Sequence, residues 1–135
     1  EKYEIRVRDY TAPGNIIAQI RQLNAIRRAH PALQTHLGVS FYNAFDDQVL
    51  YFGKRLADEP GMVLVAVTLD PHRARNCAIE VPLWAFGLPD HAAVEVEDLV
   101  RERRFLWQGK VQTIRLDPAD LPYAIWRIQP AGGAA

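Results

Sequence analysis

Cysteine and methionine are almost missing: the chain carries one of each, Cys77 and Met62. A single cysteine excludes an internal disulfide framework and gives no sign of an oxidising compartment. Net charge is missing as well, because sixteen Lys and Arg offset sixteen Asp and Glu. That balance argues against a nucleic-acid partner and against a polybasic membrane module. No apolar run approaches the roughly 20 residues that a membrane span requires, so no membrane partner is expected. The opening Glu1-Lys2-Tyr3-Glu4 has no signal-peptide character. No phosphate loop, zinc-finger spacing or dinucleotide fingerprint occurs, so no cofactor is expected.

What remains is ordinary globular material. The 135 residues are 49% hydrophobic and 24% charged, enough for one domain with its own core. The chain begins at Glu1 and its sole methionine lies inside it, which fits N-terminal processing and an excised domain equally.

The hydrophobic pattern changes once along the chain. Over residues 16–29 it has a helical period, with Ile16, Ile20 and Leu23 in one narrow arc, Ile17 and Ile26 flanking it, and Arg27 returning to it. Asn15 is the expected N-cap. Pro31 ends the helix, because the residue before a proline is pushed out of the α region. After residue 36 the period becomes two. Residues 39–45 and 48–54 predict a hairpin turning at Asp46-Asp47. Residues 62–69, continuously apolar and β-branched, predict a central strand with Val63, Leu64, Val65, Val67 and Leu69 all buried. Short strands are expected at 77–81, 94–97, 111–116 and 123–128, separated by Pro and Gly. The reading is a mainly β chain, an antiparallel β-sandwich preceded by one α-helix. Its parts are 1–35, the 36–129 sandwich and a 130–135 tail with nothing to pack.

Candidate chemistry is sparse. His30, His36, His72 and His91 are scattered, with no second ligand one helical turn away, so no metal site is expected. Cys77 sits in a strand pattern and reads as a small buried hydrophobe. The carboxylates that could flank a sugar bond are Asp46-Asp47, Asp58-Glu59 and Glu95, Glu97 and Asp98. The first two groups are turn residues and the third a solvated strand face. No catalytic residue is assigned. Trp126 lies in an alternating strand and reads as core. Trp84 and Trp107 lie in less regular segments, where core packing and stacking on a sugar ring both remain open.

Several phrases carry a family likeness. They are Glu1-Lys2-Tyr3-Glu4-Ile5-Arg6; Leu23-Asn24-Ala25-Ile26-Arg27-Arg28-Ala29-His30-Pro31-Ala32-Leu33-Gln34; Val63-Leu64-Val65-Ala66-Val67-Thr68-Leu69-Asp70-Pro71-His72; Val81-Pro82-Leu83 followed by Gly87-Leu88-Pro89; and Trp107-Gln108-Gly109 with Leu116-Asp117-Pro118. From residue 1 to about 128 the chain resembles the C-terminal end of the alpha-glucan maltosyltransferases of glycoside hydrolase family 13 that use maltose 1-phosphate. It departs from the expected pattern at Thr68, where the resemblance implies Asn. It departs again at Gln112-Thr113-Ile114, where an Asn-Tyr-Val-like stretch is expected, and at Pro122-Tyr123-Ala124, where Pro-Ala-His is expected.

The resemblance implies that residues 16–29 are the last helix of a (β/α)8 barrel whose catalytic acids lie upstream of Glu1. A barrel needs roughly 250 residues, so this chain cannot hold one. The parent would be a cytoplasmic enzyme acting on alpha-glucan or maltooligosaccharide, and the sandwich would cap the barrel. The alternative is a glucan-binding module of an alpha-amylase-type hydrolase. In either case Ile16, Ile20, Leu23 and Arg27 form an interface that needs cover. The barrel would supply it in the parent; in the isolated chain it would come from the sandwich or from a second copy in a homodimer.

Overall fold

The computed structural model describes residues 16–55 and 59–131; Asn15, the expected cap, lies outside them. Helix α1 spans Ile17–Ala29 and carries Arg27 and Arg28 in its last turn, where cations complement the helix dipole. His30 is already extended, and Pro31–Gln34 forms a single 3-10 turn.

Eight strands follow: β1 Val39–Phe41, β2 Val49–Lys54, β3 Met62–Thr68, β4 Arg75–Glu80, β5 Ala93–Asp98, β6 Arg103–Gln108, β7 Val111–Leu116 and β8 Tyr123–Pro130. Six make one antiparallel sheet in the order β1-β2-β3-β8-β5-β6, and β4 pairs with β7 in a second. The large sheet uses both faces. Its inner face meets β4 and β7 in a core that includes Tyr51, Leu64, Ala66, Ile79, Leu116 and Trp126. Its outer face carries a smaller core, in which Ile26 and Ala32 from the helical segment pack on Val63 and Ile125. The described part of residues 1–35 is therefore packed onto the sandwich.

The alternation sets which residue enters which core. In β3, Leu64 and Ala66 point inward while Val63, Val65 and Val67 point outward, and β8 continues this through the pairs Leu64↔Trp126 and Val65↔Ile125. Close approach on the inner side requires Gly53. A Cβ there would lie 2.6 Å from the Tyr42 ring and 3.0 Å from Leu64.

Several expectations need correction. The 39–45 strand divides between the sheets. Residues 39–41 pair with β2, but Ala44 bridges Ile79, and the Phe45 N–H donates to the Ala78 carbonyl at 2.9 Å. The hairpin connection is correspondingly wider than a two-residue turn, though Asp46 still shapes it by accepting the Gln48 N–H at 2.9 Å. Full burial of the 62–69 strand also fails. Val65 and Val67 are half-buried and Leu69 is 59% exposed. The helical segment covers only part of the outer face, and Leu69 lies beyond the strand, beside Asp70-Pro71.

Strand β6 has no counterpart in the expected elements. It is an edge strand whose inward residues are Phe105 and Trp107, paired with Val96 and Val94. Glu102, with φ at 56°, makes the left-handed turn that returns the chain from β5. At the other end, β8 runs on to Pro130, so the sheet includes one residue assigned to the tail, and the next, Ala131, donates its N–H to the Ala93 carbonyl at 3.2 Å.

Leu64 and Leu69 offer a direct contrast. Leu64→Ala removes a fully buried side chain and is expected to cost about 2–5 kcal/mol. Leu69→Ala should stay within about 0.5 kcal/mol of the parent, as exposed substitutions do. Urea midpoints at unchanged slope check both, and a loss at Leu64 no larger than that at Leu69 would refute the assigned core.

Candidate functional site

Of the candidate turn carboxylates, Asp46 is tied into local structure together with Asp70, and Asp58 lies outside the described residues. Arg75 Nη2 lies 2.8 Å from Asp70 Oδ2 and its Nη1 3.4 Å from Asp46 Oδ2, which ties the β2 entry turn to the β3–β4 loop. Asp70 also accepts the His72 and Arg73 N–H groups. The His72 N–H and then the Arg75 guanidinium hold its carboxyl below the usual carboxylate range. Glu97 pairs with Arg104 at 3.4 Å, and Glu95 accepts the Gln129 amide at 3.1 Å. Both lie on the outer face of the large sheet, consistent with a solvated ladder. Among the described residues no group of three or more His, Cys, Asp and Glu side chains could hold a metal ion.

Cys77 is buried on the inner face of β4. Burial pushes its thiol up, with the Asp46 charge adding to the shift. A thiol held in the neutral form is a poor nucleophile. His30 is half-buried where α1 ends. Desolvation, with the nearby Arg127 charge, lowers its pKa and favours the neutral ring.

The tryptophans separate cleanly. Trp126 and Trp107 are buried and meet edge to face with centroids 5.1 Å apart, and Phe105 packs on Trp107 at 5.9 Å. Trp107 therefore packs in the core, which is the first of the two roles open to it, and only a small part of its surface remains accessible. Strand β6, unseen in the sequence, puts it there. Trp84 is different. It stands on the 3-10 turn Leu83–Phe86, 51% exposed, with its ring edge on Tyr42 at 6.0 Å. Beside it, Arg55 donates to the Ala85 carbonyl at 2.6 Å and lies over the Phe86 ring at 4.6 Å.

A cleft of about 470 Å³ opens where β6 and β7 diverge, floored by Phe105, Trp107 and Trp126. Its charges are matched: Arg101 pairs with Asp120 at 2.8 Å and Arg115 with Asp117 at 3.3 Å. Asp98 accepts the Val100 and Arg101 N–H groups. Tyr123, which stands where the resemblance leads one to expect a histidine-bearing motif, lines the cleft. Its buried hydroxyl has no hydrogen-bond partner among the described residues. With its carboxylates each engaged, the cleft offers no free acid–base pair across a sugar-sized gap.

The helix seam is only partly covered. Ile26 is buried, and Leu23 packs beside it on the outer-face core. The Gln22 amide donates to the Val100 carbonyl at 2.7 Å. Ile16 remains 60% and Ile20 47% exposed, and Arg27 is exposed. The helix folds back through a face rotated from the expected arc, using the flanking Ile26 in place of Ile16 and Ile20. Helical periodicity identifies the apolar residues; which of them finds cover depends on the sheet beneath. No helix among the described residues is long and apolar enough to cross a membrane.

Comparison with known proteins places this geometry. The family model described as "GLGE, C-terminal" matches residues 41–128. The chain is 58% identical over 129 residues to an alpha-1,4-glucan:maltose-1-phosphate maltosyltransferase of Pseudomonas aeruginosa, covering 96% of this chain and 19% of that protein. It is 49% identical over 132 residues to the protein of that name in Cereibacter sphaeroides, covering 98% and 20%. The chain thus spans about a fifth of the length of these curated relatives. Among solved structures, an Anoxybacillus alpha-amylase superposes with a TM-score of 0.63 at 15% identity, over 95% of this chain and 25% of that one. The Geobacillus thermoleovorans alpha-amylase complexed with acarbose gives 0.62 at 12% identity, over 93% and 25%. At such identities the likeness is one of fold.

Cys77 supplies a chemical check. Iodoacetamide at neutral pH is expected to leave the folded chain unmodified and to alkylate Cys77 stoichiometrically in denaturant. Rapid alkylation of the folded chain, read by intact mass, would contradict the buried, protonated thiol.

Proposed function

Because the chain belongs to the GLGE C-terminal family, we propose that it is the accessory C-terminal domain of a cytoplasmic enzyme that transfers maltosyl units from maltose 1-phosphate to alpha-1,4-glucan. The observation that carries this reading is 58% identity to a maltosyltransferase across nearly the whole chain. The domain's own contribution is structural. It offers the remainder of the polypeptide, a (β/α)8 barrel by family resemblance, a helix whose sandwich side is anchored by Ile26 and Leu23. The exposed Ile16 and Ile20 are left to meet the barrel. In the isolated chain those two side chains are the point at which a second copy would associate. The matched charges of the cleft and the engaged turn carboxylates are consistent with catalysis residing elsewhere in the polypeptide.

A second reading has one observation in its favour. Trp84 presents an indole face beside Tyr42, an arrangement on which the apolar face of a glucosyl unit stacks. On that reading the domain holds alpha-glucan near the active site of a maltosyltransferase or an alpha-amylase-type hydrolase.

Two measurements test these readings. The 135-residue chain alone, given maltose 1-phosphate and glycogen, is expected to release no phosphate, while the full-length polypeptide releases it. Turnover by the isolated chain, or its absence in the full-length polypeptide, would overturn the assignment. Titration with maltoheptaose is expected to leave the tryptophan emission of the chain unchanged. A saturable change lost in Trp84→Ala would establish the glucan-binding role.

A further inference from the structure

The segment between α1 and β1 is pinned at successive residues. The Gln34 amide donates to the Arg28 carbonyl at 2.9 Å and to the Arg27 carbonyl at 3.3 Å, two of the acceptors that the end of a helix leaves without an internal partner. Ala32 is buried in the outer-face core. The Thr35 carbonyl accepts from Lys54, a buried cation that needs such a partner. Gly38 then turns the chain into β1 with φ at 76°, and a Cβ there would lie 2.7 Å from the Arg55 carbonyl. Glycine tolerates both that backbone conformation and that approach. The Arg55 N–H in turn donates to the Gly38 carbonyl at 3.4 Å. The joint is thus tied to the helix at one end and to the end of β2 at the other.

Arg55 carries the tie further through its side chain. Its guanidinium donates to the Ala85 carbonyl at 2.6 Å and lies over the Phe86 ring at 4.6 Å. Both residues belong to the 3-10 turn that presents Trp84. That turn is anchored from the inside by Leu83, which is fully buried. It also closes on itself, with the Gly87 N–H donating to the Trp84 carbonyl at 3.0 Å. Arg55 grips it from the outside. A planar guanidinium can hydrogen-bond and stack at once, which a compact ammonium does not match. We infer that Arg55 is a positioning residue, a strap that locks the turn bearing Trp84 to the joint between α1 and the sandwich. Its backbone holds Gly38 and its side chain holds residues 85 and 86, so helix, joint and turn keep one geometry. The exposed indole consequently has a set position relative to α1, whichever of the two functional readings holds.

Fluorine NMR of the 135-residue chain carrying 5-fluorotryptophan tests this. The chain has three tryptophans, and Trp84→Phe identifies the Trp84 resonance by its loss. Arg55→Met keeps an apolar stem and removes both contacts of the guanidinium. Arg55→Lys keeps the charge and removes the planar fork. Both variants are expected to shift and broaden the Trp84 resonance and to leave those of the buried Trp107 and Trp126 in place. Gly38→Ala alters no residue of the turn, yet it displaces the Arg55 carbonyl and is expected to shift the Trp84 resonance as well. An unmoved Trp84 resonance in Arg55→Met would overturn the strap. So would a parent-like spectrum in Arg55→Lys, which would leave charge as the whole role, and so would equal movement of all three resonances in both Arg55 variants. An unmoved Trp84 resonance in Gly38→Ala would confine Arg55 to the turn and overturn its link to the joint.

Discussion

Strand Met62–Thr68 is hydrogen-bonded on both edges, to β2 and to β8, and its midsection is covered on both faces. Leu64 and Ala66 have no exposed surface because β4 and β7 cover them from the inside. Val63 is buried from the outside by α1 and the following 3-10 turn. Each buried aliphatic side chain contributes roughly 1.5–3 kcal/mol, so this strand gives most if both layers are present. The helix is therefore part of the same folding problem as the sandwich. Anchored by Ile26 and Leu23, it completes the outer face where the sheet is most apolar.

That two-sided demand explains the surface that is left. The outer layer is complete over Val63 and Ile125, thins at Val65 and Val67, and ends at Phe41 and Leu50. A six-stranded sheet with one helix on its outer face cannot cover all six strands. On the β5–β6 side polar groups share the remainder with the exposed Leu106, through the Glu97–Arg104 pair and the Gln129 amide on Glu95. On the β1–β2 side it is left apolar. The carboxylates discussed at the turns and in the cleft are held by arginine or backbone N–H groups, and the lone thiol is sealed in the core.

Much of this was legible in the sequence, and the failures share one cause. The helix, the hairpin, the central strand and the β4, β5, β7 and β8 segments announce themselves by period and by Pro and Gly punctuation. Strand β6 does not, because Phe105-Leu106-Trp107 is apolar without alternation and only its register with Val94 and Val96 assigns an inside and an outside. The same missing partner leaves the core role of Trp107 unreadable from its own segment. The pattern of Leu69, Ile16 and Ile20 predicts burial or a need for cover, yet burial is decided by what lies opposite. Pattern identifies which residues are apolar; the opposing layer decides which of them stay dry. Family resemblance, carried by runs such as Leu69-Asp70-Pro71-His72, supplied what no local chemistry offered.

If the domain caps the part of the polypeptide before it, as proposed, the two are coupled in folding through the apolar helix face that carries Ile16 and Ile20. Differential scanning calorimetry of the full-length polypeptide, with domain unfolding followed in parallel through near-ultraviolet circular dichroism, measures that coupling most directly. A single cooperative transition, in which the sandwich and the catalytic part unfold together, is the expected result. A separate transition for the sandwich at lower temperature, with the catalytic part still folded and active above it, would contradict the claim.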